Sequence, residues 1–198
     1  VKLSFDSGDE FTCNQDLLLR YSLRPGQEFS ESDVEEFMGM IHFQECHDAA
    51  VRALERRLHA RRELQQKLFQ KQKFTKNLIE IVLNDLEESG YLNDCLFAEL
   101  FVQDRNIGSR AIGSGKLRAQ LYQKGLAREI IDEVLREVHS DDDLFDKAYK
   151  EAEKRWQRDR QDDLYKKKQK LYRFLAGRGF SSAIISKILN KIEQENRG

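Results

Sequence analysis

The sequence predicts an all-α fold: an elongated tandem array of three three-helix repeats behind a small N-terminal extension holding a β-hairpin and a helix. Three observations predict it. The first is self-similarity. LAGRGFSSAIISKIL at 175–189, LYQKGLAREIIDEVL at 121–135 and FQKQKFTKNLIEIVL at 69–83 share one pattern of apolar positions. Aligned on Phe74, Leu126 and Phe180, which are 52 and 54 residues apart, each is followed by apolar pairs at +4/+5 and +8/+9. A period of that length reads as a stacked supersecondary unit. The second is punctuation: Pro25 is the one proline, so residues 26–198 carry no helix breaker of that kind. The third is composition, 39% hydrophobic and 35% charged with a mean hydropathy of −0.71, which suits amphipathic helices with wide solvated faces.

The elements follow in order. In KLSFDSGDEFTC, Leu3/Phe5 and Phe11/Cys13 alternate with polar residues around a Ser-Gly turn, a hairpin pattern. A short helix is expected from Asn14 through LLLRY, then a turn at Pro25-Gly26. Ser30 and Ser32 offer N-caps with Asp33 and Glu35 three residues on, a capping-box signature before VEEFMGMIHF. From residue 48 the chain reads as helix with brief turns. The segments are 1–47 (extension), 48–90, 91–138 and 139–198 (repeats), opened by helices over about 48–60, 94–105 and 143–163.

The repeated turn has a physical explanation. With Gly125 as the left-handed residue ending a helix, Leu126 and Leu121 occupy the positions whose apolar contact completes a Schellman motif; Gly179 assigns Phe180 and Leu175 the same roles. In the first repeat Lys73 stands where the others have glycine, with Phe69/Phe74 as the contact pair. A non-glycine residue in that conformation costs on the order of 1 kcal/mol. Thr75 and Ser181 then stand where N-caps belong. The Gly/Ser-rich stretch 106–115 reads as a loop, and the acidic run at 140–146 suits the N-terminal end of a helix dipole.

Charge is unevenly spread. Residues 1–47 hold 3 basic and 10 acidic side chains; 139–198 hold 15 and 11. The head is acidic and the body mildly basic, although the formal total is −1. RRLHARR places Arg57 and Arg61 at i,i+4, with Arg62 one step round and Arg56 close by. KKKQKLYR places Lys166, Lys170 and Arg173 on one stripe beside Lys167 and Lys168. Around the middle turn lie Arg110, Lys116, Arg118, Lys124 and Arg128, and at the last turn Arg178. Any one group is explained by a solvated face. Recurrence in three repeats argues for polyanion contact, made to phosphate with little sequence information.

Marks of catalysis are missing: no P-loop, H-E-x-x-H, C-x-x-C or G-x-S-x-G is present. His42, Cys46 and His47 lack the further ligand that zinc needs, and Asp141–Asp143 are adjacent and do not converge on one ion. Trp156 reads as a packing residue. Cys13, Cys46 and Cys95, odd in number and widely spaced, argue against a disulfide framework and for a cytoplasmic location. No apolar run approaches the roughly 18 residues needed to span a membrane, and no secretory signal opens the sequence.

The chain resembles the RecX family of regulatory proteins. The resemblance is carried by YLNDCLFAELFVQDR, GSGKLRAQLYQKGL and IIDEVL in the second repeat, LAGRGFSSAIISKIL in the third, ALERRLHARRELQQKL in the first, and LLLRYSLRPGQEF in the head. It implies a non-enzymatic, cofactor-free and monomeric helical protein. Such a protein binds the RecA recombinase, lodges in the groove of the RecA–single-stranded DNA filament, and inhibits strand exchange, ATP hydrolysis and coprotease activity. It also implies weak, sequence-independent binding to single-stranded and double-stranded DNA. Two other readings stand beside it. Helix–Gly turn–helix is the outline of a sequence-specific helix-turn-helix regulator, but LAREI, FTKNL and FSSAI offer little to read bases. A protein-only scaffold draws on the near-neutral total charge.

Overall fold

The computed structural model describes residues 2–4, 10–13, 15, 19, 23–106, 112–138, 141–160 and 163–195. The hairpin turn with Phe5, most of the Asn14–Tyr21 segment, Arg110 with its Gly/Ser neighbours, and the Asp141–Asp143 side chains lie outside the described residues. The chain divides into two compact units, Val1–Arg57 with Leu64–Ser89, and Leu58–Glu63 with Gly90–Gly198.

In the first unit, β1 (Lys2–Ser4) pairs antiparallel with β2 (Glu10–Thr12), Leu3 opposite Phe11. Both pack with Leu23 and Met38 against Cys13, Phe37 and Ile41, so the extension owns a small core. A turn follows at Pro25-Gly26, where Gln27 N–H donates to Arg24 O at 3.2 Å and Gly26 takes φ +77°. α1 (Glu31–Leu54) starts on the Ser30/Asp33 capping box. The bond to Ser30 holds the Asp33 carboxyl below its ordinary value. α2 (Arg61–Phe69) and α3 (Lys76–Glu88, capped by Thr75) bury Leu64, Leu68, Ile79, Val82, Leu83 and Leu86. Each such aliphatic side chain contributes about 1.5–3 kcal/mol relative to leaving it in water.

Three features of this unit correct the sequence reading. The helix expected over 48–60 begins at Glu31 and stops at Leu54, and residues 58–60 are not helical. The restart at Arg61 is held by a distant group: Arg61 N–H donates to Asp94 Oδ1 at 2.7 Å, capping α2 from another segment. The left-handed residue of the first turn is Gln72 (φ +53°), not Lys73. The buried residue before that turn is Leu68; Phe69 is exposed, with Lys76 Nζ 5.6 Å from its ring centroid. Leu68 and Phe74 are six residues apart, whereas Leu121/Leu126 and Leu175/Phe180 are five apart. This turn carries one extra residue, and that residue moves the register.

In the second unit, α4 (Asp94–Asn106), α5 (Ser114–Gln123) and α6 (Arg128–Val138) enclose a core that includes Phe97, Val102, Leu117, Leu121, Leu126 and Ile131, with Ala60 set into it. α7 (Asp141–Arg158), α8 (Leu164–Gly177) and α9 (Ser182–Glu195) enclose another around Trp156, Leu171, Leu175, Phe180, Ile185 and Ile188. The helix expected over 143–163 ends at Arg158. Asp163 instead caps α8, its carboxylate accepting the Lys166 N–H at 3.1 Å. Trp156 is a packing residue, with Lys167 Nζ over its ring at 4.6 Å.

Two glycine turns govern how this unit is joined. At Gly125 (φ +88°), Leu126 N–H donates to Leu121 O (3.3 Å) and Gly125 N–H to Tyr122 O (2.9 Å). At Gly179 (φ +85°), Phe180 N–H donates to Leu175 O (3.2 Å) and Gly179 N–H to Ala176 O (2.9 Å). Both are Schellman turns, and each receives the start of another helix. Gly113 N–H donates to Arg178 O at 2.9 Å and Gly115 N–H to Gly179 O at 3.0 Å, so the first amides of α5 satisfy the last carbonyls of the α8 turn. The two helix dipoles meet head to tail. At the other turn Arg62, in the first turn of α2, lies over Gly125, and Glu63 pairs with Lys124 Nζ at 2.8 Å.

Candidate nucleic-acid interface

The structure sorts the basic side chains by what already holds them. Arg56 and Arg57 follow the end of α1, while Arg61 and Arg62 open α2. With non-helical residues 58–60 between them, Arg57 and Arg61 do not form the helical i,i+4 stripe that their spacing predicts. Lys116 and Arg118 are exposed on α5, Lys124 caps it, and Arg128 opens α6. Arg118 pairs with Asp132 Oδ1 at 2.8 Å and Arg128 with Asp132 Oδ2 at 3.5 Å. On α8, Lys166 pairs with Asp163 and Lys170 with Asp159, each at 3.4 Å; Arg173 is exposed.

Exposure separates two roles. The Arg128 and Lys166 side chains are 79% and 64% accessible. Ion pairs so exposed contribute at most about 1 kcal/mol, and a phosphate displaces the carboxylate at little cost. Arg178 differs. Its side chain is 22% accessible, it meets Glu151 (17%) at 2.8 Å, and its guanidinium lies 4.8 Å from the centroid of Phe174. Lys124, held by Glu63 beside the Gly125 turn, is likewise a fastening between segments first.

A basic feature that adds three residues to the predicted set accompanies these. Lys154, Arg155 and Arg158 on α7 face Lys170 and Arg178 across a cleft floored by Phe174, with Glu151 and Asp159 on its walls. Residues 151, 154, 155 and 158 fall at i, i+3, i+4 and i+7, one face of a helix. That spacing is a signal the sequence carries, hidden because the three cations do not form a contiguous run like KKKQK.

The groups weighed as metal ligands are placed otherwise. Cys46 is fully buried, and burial, opposed by the charge of Lys71, pushes its thiol up to about 11. His42 is exposed, and His47 Nε2 lies 3.5 Å from Asp85 Oδ2. Among the described residues no group of three or more His, Cys, Asp or Glu side chains could hold a metal ion, and no helix is long and apolar enough to cross a membrane.

Comparisons with known proteins bear on the whole arrangement. Two family models match, the RecX second three-helix domain over residues 93–135 and the RecX third three-helix domain over 141–189. Among curated relatives, regulatory protein RecX of Chlorobium phaeobacteroides is 40% identical over 145 residues, 73% of this chain and 91% of the relative. That of Clostridium perfringens strain SM101 is 27% identical over 194 residues, 97% of this chain and 89% of the relative. A crystal structure of regulatory protein RecX shares the fold at a TM-score of 0.81 and 22% identity, covering 96% of this chain and 94% of that one. RecX from Lactobacillus salivarius gives a TM-score of 0.71 at 25% identity, covering 77% of this chain and 97% of that one. An all-α set of three-helix domains behind a small hairpin, similar to such relatives across nearly their whole length, belongs to the RecX family of regulatory proteins.

Proposed function

We propose that this chain regulates homologous recombination and the SOS response by binding the RecA–single-stranded DNA filament and inhibiting its recombinase, ATPase and coprotease activities. It acts as a monomer, without cofactor and without chemistry of its own, in the cytoplasm. The observation that carries the reading is the near-full-length similarity to proteins named regulatory protein RecX. Exposed basic side chains in every repeat support it: Arg56 and Arg57, then Lys116, Arg118 and Arg128, then Lys166, Lys170 and Arg173. In this reading the chain divides into the extension 1–47 and repeats 48–90, 91–138 and 139–198. Each repeat adds a weak contact with phosphate or with the filament wall, and several weak contacts on one chain multiply into avidity. The acidic extension stays off the phosphates.

The test is fluorescence anisotropy of labelled single-stranded DNA, naked and then coated with RecA and ATP, titrated with this protein while ATP hydrolysis is followed in parallel. Tight binding to the coated strand with falling hydrolysis is expected. Binding to naked DNA alone, or to neither, overturns the proposal.

A further inference from the structure

The α7–α8 cleft has a charge balance that its own fold does not require. Five basic side chains line it against two carboxylates. Both carboxylates are engaged, Glu151 with Arg178 at 2.8 Å and Asp159 with Lys170 at 3.4 Å. Among the described residues Lys154, Arg155 and Arg158 meet no carboxylate, and all three are exposed. The guanidinium carbons of Arg155 and Arg178 lie 4.4 and 4.8 Å from the centroid of the same Phe174 ring. Two like charges drawn to one ring repel each other, and only one of them has a counter-ion. An anion lodged between them offsets that repulsion.

We propose that this cleft seats the phosphodiester backbone of a single-stranded nucleic acid. The proposal rests on the reading above that the chain meets polyanions, and it adds Lys154, Arg155 and Arg158, which lie outside the basic runs of the sequence, to the contact. Arg155 and Arg178 already cover Phe174, so the ring orients guanidinium groups and is not a platform for bases. Recognition is therefore of phosphate and independent of sequence. Lys154 and Arg158 stand one helical turn apart, with Cβ atoms about 5–6 Å from each other, so neighbouring phosphates of one strand find separate cations. Helix axes about 8–10 Å apart frame a narrow groove, which suits one strand better than a duplex. Glu151 holds Arg178 in place before any ligand arrives, which lowers the ordering cost of binding.

The experiment compares three full-length chains: the native sequence, the triple variant Lys154→Ala/Arg155→Ala/Arg158→Ala, and a charge-matched control, Lys76→Ala/Arg136→Ala/Lys187→Ala, whose targets are exposed outside the cleft. Each is titrated into fluorescein-labelled oligo-dT at several salt concentrations, with circular dichroism to check folding. Arg158→Glu is carried alongside because Arg158 touches no ring. The cleft variants are expected to lose about tenfold or more in affinity, and the triple variant's salt slope to flatten by roughly two phosphate contacts. The control changes by less than about twofold. Equal losses in cleft and control variants overturn the cleft while leaving nucleic-acid binding intact. A native chain that binds no oligo-dT at low salt overturns the polyanion reading itself. Displacement by low-millimolar inorganic phosphate at matched ionic strength overturns the phosphodiester assignment in favour of an isolated anion site.

Discussion

The turn between α2 and α3 and the turn between α8 and α9 descend from one sequence pattern, yet they solve different problems. In the first, Gln72 adopts the left-handed conformation with an exposed side chain, one extra residue separates Leu68 from Phe74, and the turn tolerates both. In the last, Gly179 has the same kind of φ, but a Cβ there would lie 2.2 Å from Lys116 N and 2.9 Å from Lys116 Cα. The left-handed conformation favours glycine by about 1 kcal/mol and can be filled by another residue. Backbone packed against that glycine removes the alternative. The glycines at 125 and 179 are therefore as much joint residues as turn residues.

The largest expected effect breaks that joint. Gly179→Ala adds a methyl group against backbone that cannot rotate away, and it strains a φ of +85°. Together with disturbance of the Gly113 and Gly115 hydrogen bonds, the loss should be about 3 kcal/mol or more. Gly113→Ala meets the same joint from the other side, its Cβ 2.3 Å from Gly179 C, and should cost nearly as much despite an ordinary φ of −76°. The chain's single tryptophan, Trp156, is buried in the adjoining core, so urea unfolding followed by its fluorescence reads both variants. A loss at Gly113 below about 1 kcal/mol would show that φ alone matters.

Gly125→Ala sharpens the comparison because its obstacle is a side chain. The new Cβ would lie 2.2, 2.6 and 2.8 Å from Cδ, Cβ and Cγ of Arg62, an exposed residue whose far atoms can swing aside. About 2 kcal/mol is expected, partly rescued by Arg62→Ala, which leaves only the Cβ contact. No such second-site rescue is available at Gly179. A double-mutant cycle measures the difference. Below both stands Gly90→Ala, with φ +76° and nothing within 4 Å, which isolates the conformational term at about 1 kcal/mol.

What the sequence discloses and what it withholds divide along the same line. Features fixed within about five residues are legible: the Ser30 capping box, the Thr75 and Ser181 caps, the Gly125 and Gly179 turns, and the apolar faces of α3, α6 and α9. Features fixed from afar are not. The start of α2 depends on Asp94, 33 residues away from Arg61, so a continuous helix through RRLHARR looks acceptable until that cap is seen. The extra residue in the first turn is hidden because Phe69 and Phe74 keep the apolar spacing while Leu68 takes the buried place. Among the basic residues, contiguous runs are conspicuous. The helical stripe of Lys154, Arg155 and Arg158 becomes a site only where α8 brings Phe174, Lys170 and Arg178 beside it.

The smallest effect has the opposite sign. If the α2–α3 turn needs only a left-handed residue and no close approach, Gln72→Gly should relieve the unfavourable φ of +53°. Glycine, however, also raises the entropy of the unfolded chain, and the two terms oppose each other. Relief of the left-handed strain is about 1 kcal/mol or slightly more, against a backbone entropy cost of about 0.5–1 kcal/mol, so a net gain of a few tenths is expected. Trp156 lies in the other compact unit, so far-UV circular dichroism is the appropriate probe. Lys73→Gly is the informative control. It replaces the residue that alignment with Gly125 and Gly179 would make left-handed, and because Lys73 pairs with Glu45 at 3.0 Å without a positive φ, it should destabilise slightly. Opposite signs at these adjacent positions would place the strained residue at Gln72 and the extra residue in this turn. A gain at Lys73 with a loss at Gln72 would restore the register that the repeat alone suggests.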